Sequence, residues 1–411
     1  MEYYLLIFLF VIITLGIFIL FYNSYNKCEN LIEPYNNYSY LFNKDYDKPF
    51  IDSSKIKKNK IFISIASYRD AQVIPTVKNI IENSDNPENL TICILEQNDK
   101  SDPSISSIEE SILNKSKIIL EKMDYTKAMG PSWARYLIQQ KWDHEEYFMQ
   151  IDSHTMFDKH WDTELKDMLI KLPKLSVLSQ YPPEYDLKTG KFNKNSLRSG
   201  LYVEGFREID RFTRIQSEYH KKSPPNKPFD AEAWGACFSF SNWEILRDAP
   251  YDPYLPYLFF GEELDITLRL FTRGWKFYSP NKSLVFTNFK RTHRHTLWGD
   301  HETKKRKDIE LLSRCRLYYK FGMKKQLDDI LNESFNVNSK EYFPLLRKNI
   351  ERFNMGSIKN IKDYENFAGI DFDNQTVKGH NRKRIIKIAR PKQIKMNGIT
   401  PLELIQRWSF F

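Results

Sequence analysis

Residues 147–154 read Tyr-Phe-Met-Gln-Ile-Asp-Ser-His, an apolar run that ends on a carboxylate and an imidazole two positions apart. On extended backbone, residues i and i+2 share a face, so Asp152 and His154 can converge on one ion. A carboxylate oxygen with an imidazole nitrogen suits Mn2+ or a related divalent cation, whose shell phosphate oxygens can complete. Mg2+ prefers oxygen ligands, so the histidine favours manganese. The competing reading is a solvated turn. In residues 259–264, Glu262 and Glu263 follow a glycine at a helix start, where the dipole and free amides favour carboxylates. They serve either chemistry or the helix itself.

Other candidates carry the same double reading. Ser67, Tyr68, Arg69 and Asp70 follow an apolar strand. Arg69 there can grip a diphosphate with two parallel hydrogen bonds, or pair with Asp70 on a surface turn. Trp234 and Gly235 offer an indole and close backbone approach to a sugar face, though a buried tryptophan is an equal contender. His293 and His295 alternate among basic residues as ligands, phosphate contacts or plain surface histidines.

These groups need a frame. Apolar runs at 61–66, 90–95, 117–123 and 147–151 predict strands, and helical spacing predicts helices over 73–83, 130–142 and 161–171. Such alternation implies an α/β fold, a mostly parallel sheet flanked by helices. Ligands bind such sheets at the carboxyl ends of strands. Ser67 to Asp70, the segment 96–99 with Gln97, and Asp152 to His154 all fall there. The chain then turns β-rich to about residue 228. It continues with a strand over 236–240, a helix over 262–273 and strands at 275–278 and 284–286. Beyond about residue 300 it is basic and mainly helical.

Residues 3–22 carry no charge, and about 20 such residues span a bilayer as a helix. The expected organisation is a single transmembrane anchor over 1–24, a polar stem over 25–59, a catalytic domain over 60–300 and a helical C-terminal extension over 301–411. That extension ends in a basic tail densest at 382–392. A single-pass, type II arrangement in the ER or Golgi is expected, with a cytosol-facing domain as the alternative. The net charge of +9 is widely spread, so no nucleic-acid partner is expected. Cys28, Cys93, Cys237 and Cys315 form no CxxC pair, which argues against a zinc site or a disulfide framework.

Residues 61–70 (IFISIASYRD), 147–162 (YFMQIDSHTMFDKHWD), 234–240, 250–253, 260–263 (FGEE), 273–280 (RGWKFYSP) and 363–372 resemble, in order and spacing, the Skp1-type polypeptide N-acetylglucosaminyltransferases. A more distant similarity runs to the mucin-type polypeptide GalNAc-transferases. The resemblance implies a GT-A glycosyltransferase fold, metal dependence and retention of configuration. It implies transfer of GlcNAc from UDP-GlcNAc to a protein or glycan hydroxyl, with hydroxyproline and Ser/Thr as the candidate acceptors. It carries metal binding to Asp152 and His154, and donor contacts to Ser67, Arg69, Gln97, Arg135 and Asp152. Glu262 and Glu263 take the catalytic position, and Trp234 and Gly235 the sugar or acceptor side. One departure stands out: Thr287 occupies the place of a usual metal-binding histidine, leaving His293 as a candidate third ligand. Two alternatives remain, a transferase of another UDP-sugar (GalNAc, galactose or glucose) and a catalytically impaired sugar-binding membrane protein.

Overall fold

The computed structural model describes residues 51–187, 189–192, 199–219, 226–290, 294–332 and 346–377. The expected anchor, most of the stem, His293 and the basic tail lie outside these residues. Among the described residues, no helix is long and apolar enough to cross a membrane.

Strand β1 (Lys57–Tyr68) is followed by helix α1 (Val73–Asn83), β2 (Leu90–Asn98), β3 (Lys117–Asp124), helix α2 (Pro131–Gln139) and β4 (Glu145–Asp152). In α1 the residues Val73, Val77, Ile80 and Ile81 are buried, one stripe at helical spacing that seats the helix on the sheet. Helix α2 opens on Pro131, whose fixed φ suits a first turn. Gly130 before it has φ +96°, and a Cβ there would stand 3.0 Å from the Tyr257 Cα. After short β5 (Thr155–Phe157) come helix α3 (Trp161–Ile170), β6 (Ser176–Ser179), β7 (Ser199–Phe206), β8 (Thr213–Tyr219), β9 (Phe229–Ala231) and β10 (Phe238–Asn242). The chain continues through helix α4 (Glu262–Thr272), β11 (Lys276–Ser279), β12 (Val285–Thr287), the single turn α5 (Leu297–Asp300) and the long α6 (Lys304–Phe321).

Eight strands form the central sheet in the order β3-β2-β1-β4-β10-β6-β11-β9. The first four run parallel, β10 is antiparallel to both of its neighbours, and β6 and β11 run parallel again. The mixed α/β class expected from the sequence is therefore present, with β9 and β10 as its reversed strands. Alternation along β1 sends Ile61, Ile63 and Ile65 into one core and Phe62 into the other, as a sheet covered on both faces requires. Register does the rest for function. Ala66 pairs with Asp152 and Tyr68 with Gln97, so the polar ends of three strands meet at one edge.

Observed boundaries differ from expectation by at most four residues, the largest difference being the start of β1 at Lys57. The strand expected from residue 236 begins at Phe238, because the Ala236 N–H is drawn off to Glu263. Helix α6 shares one core with the sheet's helices through Ile309, Leu312, Cys315, Leu317 and Tyr318.

Candidate active site

Asp152 ends β4 and His154 lies two residues on, in the tight link to β5. His154 Nε2 stands 3.9 Å from Asp152 Oδ2, too far for a hydrogen bond and close enough for one cation to bridge both. His154 Nδ1 lies 2.9 Å from Asp70 Oδ2. Burial works against the charged form of Asp70, but the His154 contact, Arg294 and the Ser153 hydroxyl outweigh it and hold the carboxyl well below the usual carboxylate range. An ionised carboxylate only accepts, so Nδ1 donates, and Nε2 is the ring nitrogen left on the Asp152 side. This is the carboxylate–histidine arrangement that orients metal-binding imidazoles, and the donor set fits a divalent cation.

The sequence reading had no way to give Asp70 this role and set it against Arg69 instead. In the fold, Arg69 adopts φ +46° and turns away, donating to Asp102 (2.8 Å) and Asp300 (3.1 Å). Its guanidinium lies 4.4 Å over the Tyr125 ring. Ser67 is fully buried. Neither residue lines the cleft, because the alternation that puts Ala66 and Tyr68 on its wall turns Ser67 away.

The cleft itself has a volume of about 880 Å³, within the range of small-molecule sites. Gln97, Arg135, Asp152, His154, Glu262 and Glu263 all line it. Arg135, on α2, is the hub. It donates from Nη2 to Asp152 Oδ1 (2.8 Å) and from Nη1 to Glu262 Oε1. Burial disfavours its charge, yet Glu262, Tyr251 and Asp152 more than offset that and raise its pKa. Glu262 Oε1 also accepts from the Tyr251 hydroxyl at 2.6 Å.

Glu263, adjacent on the same first turn, is engaged differently. Its Oε1 accepts from the Ala236 N–H (2.7 Å) and its Oε2 from the Tyr181 hydroxyl (2.6 Å). Oε1 thus holds the segment before β10 and Oε2 the segment after β6, so the residue expected as catalytic has both oxygens engaged by the protein. Burial pushes its carboxyl up to about 7, with Glu262 adding to the rise and the two hydrogen bonds opposing it. A carboxyl raised above its ordinary 4.5 binds its proton more tightly folded than unfolded. The stability it contributes is complete below that pH and is lost as the pH rises through about 7. Glu263→Gln should therefore lose much of the wild type's decline over this window, a difference on the order of 3 kcal/mol. Denaturant titrations at several pH values check this; parallel stability profiles would show that Glu263 titrates normally.

Trp234 and Gly235 also need correction as a sugar platform. Trp234 is 2% exposed, set edge-on to Tyr251 at 6.5 Å, and absent from the cleft wall. A Cβ at Gly235 would stand 2.8 Å from Leu201 Cδ1, so close packing explains that glycine. The cleft's aromatics are instead Tyr68, Tyr181, Phe259, Phe260, Phe289 and Trp298. Thr287 is fully buried and donates its hydroxyl to the His154 carbonyl at 3.3 Å; it braces the ligand's backbone. His293 lies outside the described residues. Among those described, no three His, Cys, Asp or Glu side chains gather as a metal cluster. Lys290, Arg294 and His295 bring basic groups to the cleft, with Arg294 3.2 Å from Asp70.

A strand-end carboxylate and imidazole on a cleft of an α/β sheet make a place where a divalent cation and an anionic ligand could meet. Residues 60–111 and 106–374 match the family described as Glycosyltransferase (GlcNAc), and the chain belongs to that family. No curated protein matches it. Among solved structures, GalNAc-T7 with UDP, GalNAc and Mn2+ superposes at TM-score 0.49 and 14% identity. The match covers 75% of this chain and 56% of that one, so the chain spans little more than half its length. TarS 1-349 of S. aureus in complex with UDP-GlcNAc gives 0.41 and 12%, covering 70% and 75%. The mannosyltransferase PcManGT of Pyrobaculum calidifontis with GDP-Man and Mn2+ gives 0.39 and 11%, covering 79% of each.

Proposed function

We propose that this chain is a metal-dependent, retaining GT-A glycosyltransferase that moves GlcNAc from UDP-GlcNAc to a hydroxyl of a protein or glycan, hydroxyproline or Ser/Thr being the chemistry expected. The observation that carries the reading is the pair Asp152 and His154, oriented by Asp70 and opening on the cleft of about 880 Å³. Asp152 Oδ2 and His154 Nε2 would hold Mn2+ or Mg2+. When bound, the ion offsets charge on the departing nucleoside diphosphate.

The chain's own groups do the rest by positioning and electrostatics. Arg135 holds Asp152 Oδ1 and so aims the carboxylate. Glu262 has one oxygen fixed by Arg135 and Tyr251, leaving Oε2 to accept from a sugar or acceptor hydroxyl. Gln97 lines the cleft with its Oε1 buried and unpaired among the described residues, an acceptor suited to an N–H of the donor's base. Lys290 and Arg294 add positive charge around the diphosphate, with the His295 imidazole on the same wall. We further propose that residues 1–24 anchor the enzyme in an ER or Golgi membrane as a type II protein, ahead of a 25–59 stem.

The test is release of UDP from UDP-GlcNAc by the purified protein with Mn2+, with EDTA, and beside a panel of UDP-GalNAc, UDP-galactose and UDP-glucose. Manganese-dependent hydrolysis favouring UDP-GlcNAc by about tenfold or more supports the reading. A different preferred sugar reassigns the donor, and no hydrolysis of any of them sinks the transferase.

A further inference from the structure

One turn of the fold touches the site from behind and is gripped by charges that no solvent reaches. Residues 250–254 carry Tyr251, whose hydroxyl holds Glu262 Oε1 at 2.6 Å. Tyr251 is 3% exposed and does not line the cleft. Its neighbour Asp252 is fully buried and accepts from Arg316 Nε at 2.8 Å, with Lys320 Nζ at 3.5 Å, both from α6. Lys320 also pairs with Asp265 at 2.5 Å. Arg269, on α4, donates to the Pro250 carbonyl at 2.6 Å. Asp252, Asp265, Arg269, Arg316 and Lys320 are all at most 5% exposed.

Five charges taken from water in one place gain little stability over a well-packed apolar cluster. What they supply is a fixed geometry, since each donor and acceptor admits few arrangements. The turn is tied on its other side as well, because the Tyr251 N–H donates to Gln139 Oε1 at 2.9 Å, on the helix that carries Arg135. Helix α6 also meets the start of α4 directly. Gly261 has φ +106°, and a Cβ there would lie 2.7 Å from Leu317 Cδ1.

We infer that Tyr251 is a positioning residue for Glu262, and that the C-terminal helix α6 sets it through the buried Asp252–Arg316–Lys320 contact. The inference rests on the cleft being the transferase site proposed above. The C-terminal segment then belongs to the catalytic machinery: it fixes where one Glu262 oxygen points, without touching substrate. Loss of the Tyr251 hydroxyl leaves that oxygen to Arg135 alone, and the carboxylate gains freedom to rotate.

The experiment compares the full-length wild type with Tyr251→Phe and Lys320→Met. In the second variant Asp252 keeps Arg316 and Asp265 keeps Arg269, so no buried acid is stranded. The measurements are kcat and KM for Mn2+-dependent UDP-GlcNAc hydrolysis, calorimetric affinity for UDP with Mn2+, and the thermal midpoint. Tyr251→Phe should lower kcat by about 10- to 100-fold, with KM, UDP affinity and melting unchanged. Lys320→Met should lower the same parameter in the same direction. A merely structural role would move the melting temperature and leave kcat per folded molecule alone, and that result overturns the inference. If Lys320→Met does not fold, the Tyr251→Phe kinetics still decide it. A wild type that neither binds UDP with Mn2+ nor hydrolyses any donor defeats the transferase reading itself. An active wild type matched by Tyr251→Phe defeats only this inference.

Discussion

Asp152→Ala is expected to lower sugar transfer and donor hydrolysis by about 10³-fold or more, because it deletes the carboxylate that faces His154 Nε2 across the proposed cation site. The protein should remain folded. Arg135, the residue that loses a partner, keeps Glu262 and Tyr251 within reach, so no buried charge is left alone. Asp152 itself is the more exposed member, with its side chain 28% accessible against 6% for Arg135. The clean comparison is UDP release at saturating Mn2+ beside a melting curve. Wild-type turnover in a normally melting variant would remove the cation from the proposed mechanism.

Arg135→Met should cost the most in stability. Its guanidinium lies between two carboxylates, one of them Glu262 at 5% side-chain exposure. Removing one partner of a buried ion pair leaves the other uncompensated, a loss of about 3–5 kcal/mol. For a domain of this size each kcal/mol shifts the midpoint by roughly 2–4 °C. The double variant R135M/E262Q should recover part of the loss, since it strands no charge, and should stay inactive. A single variant that melts within a degree or two of the wild type would mean Glu262 is solvated or protonated, and the hub would have no electrostatic role.

Much of the scaffold was legible along the chain. Buried strands announced themselves as apolar runs, and α1 matched its expected bounds, because its apolar spacing left one face to bury. Asp152 and His154 could be paired in advance since a two-residue spacing at a strand end fixes a shared side. Glu262 and Glu263 could not be told apart that way. Neighbours on a helix point about 100° apart, and only packing put one against Arg135 and the other against Tyr181 and Ala236.

The rest depends on contacts distant in the chain. Asp70 reaches His154 across 84 positions, and Tyr251 reaches Glu262 from a turn that α6 holds in place. Arg69 lost its expected role to a single backbone dihedral, and Trp234 to a core that closed over it. Local patterning thus specified the elements, the strand-end ligands and the family of chemistry, since periodicity and spacing are properties of neighbouring residues. Which partners each carboxylate takes, which aromatic is buried and what braces each ligand were settled by packing, where segments far apart in sequence compete for the same few ångströms.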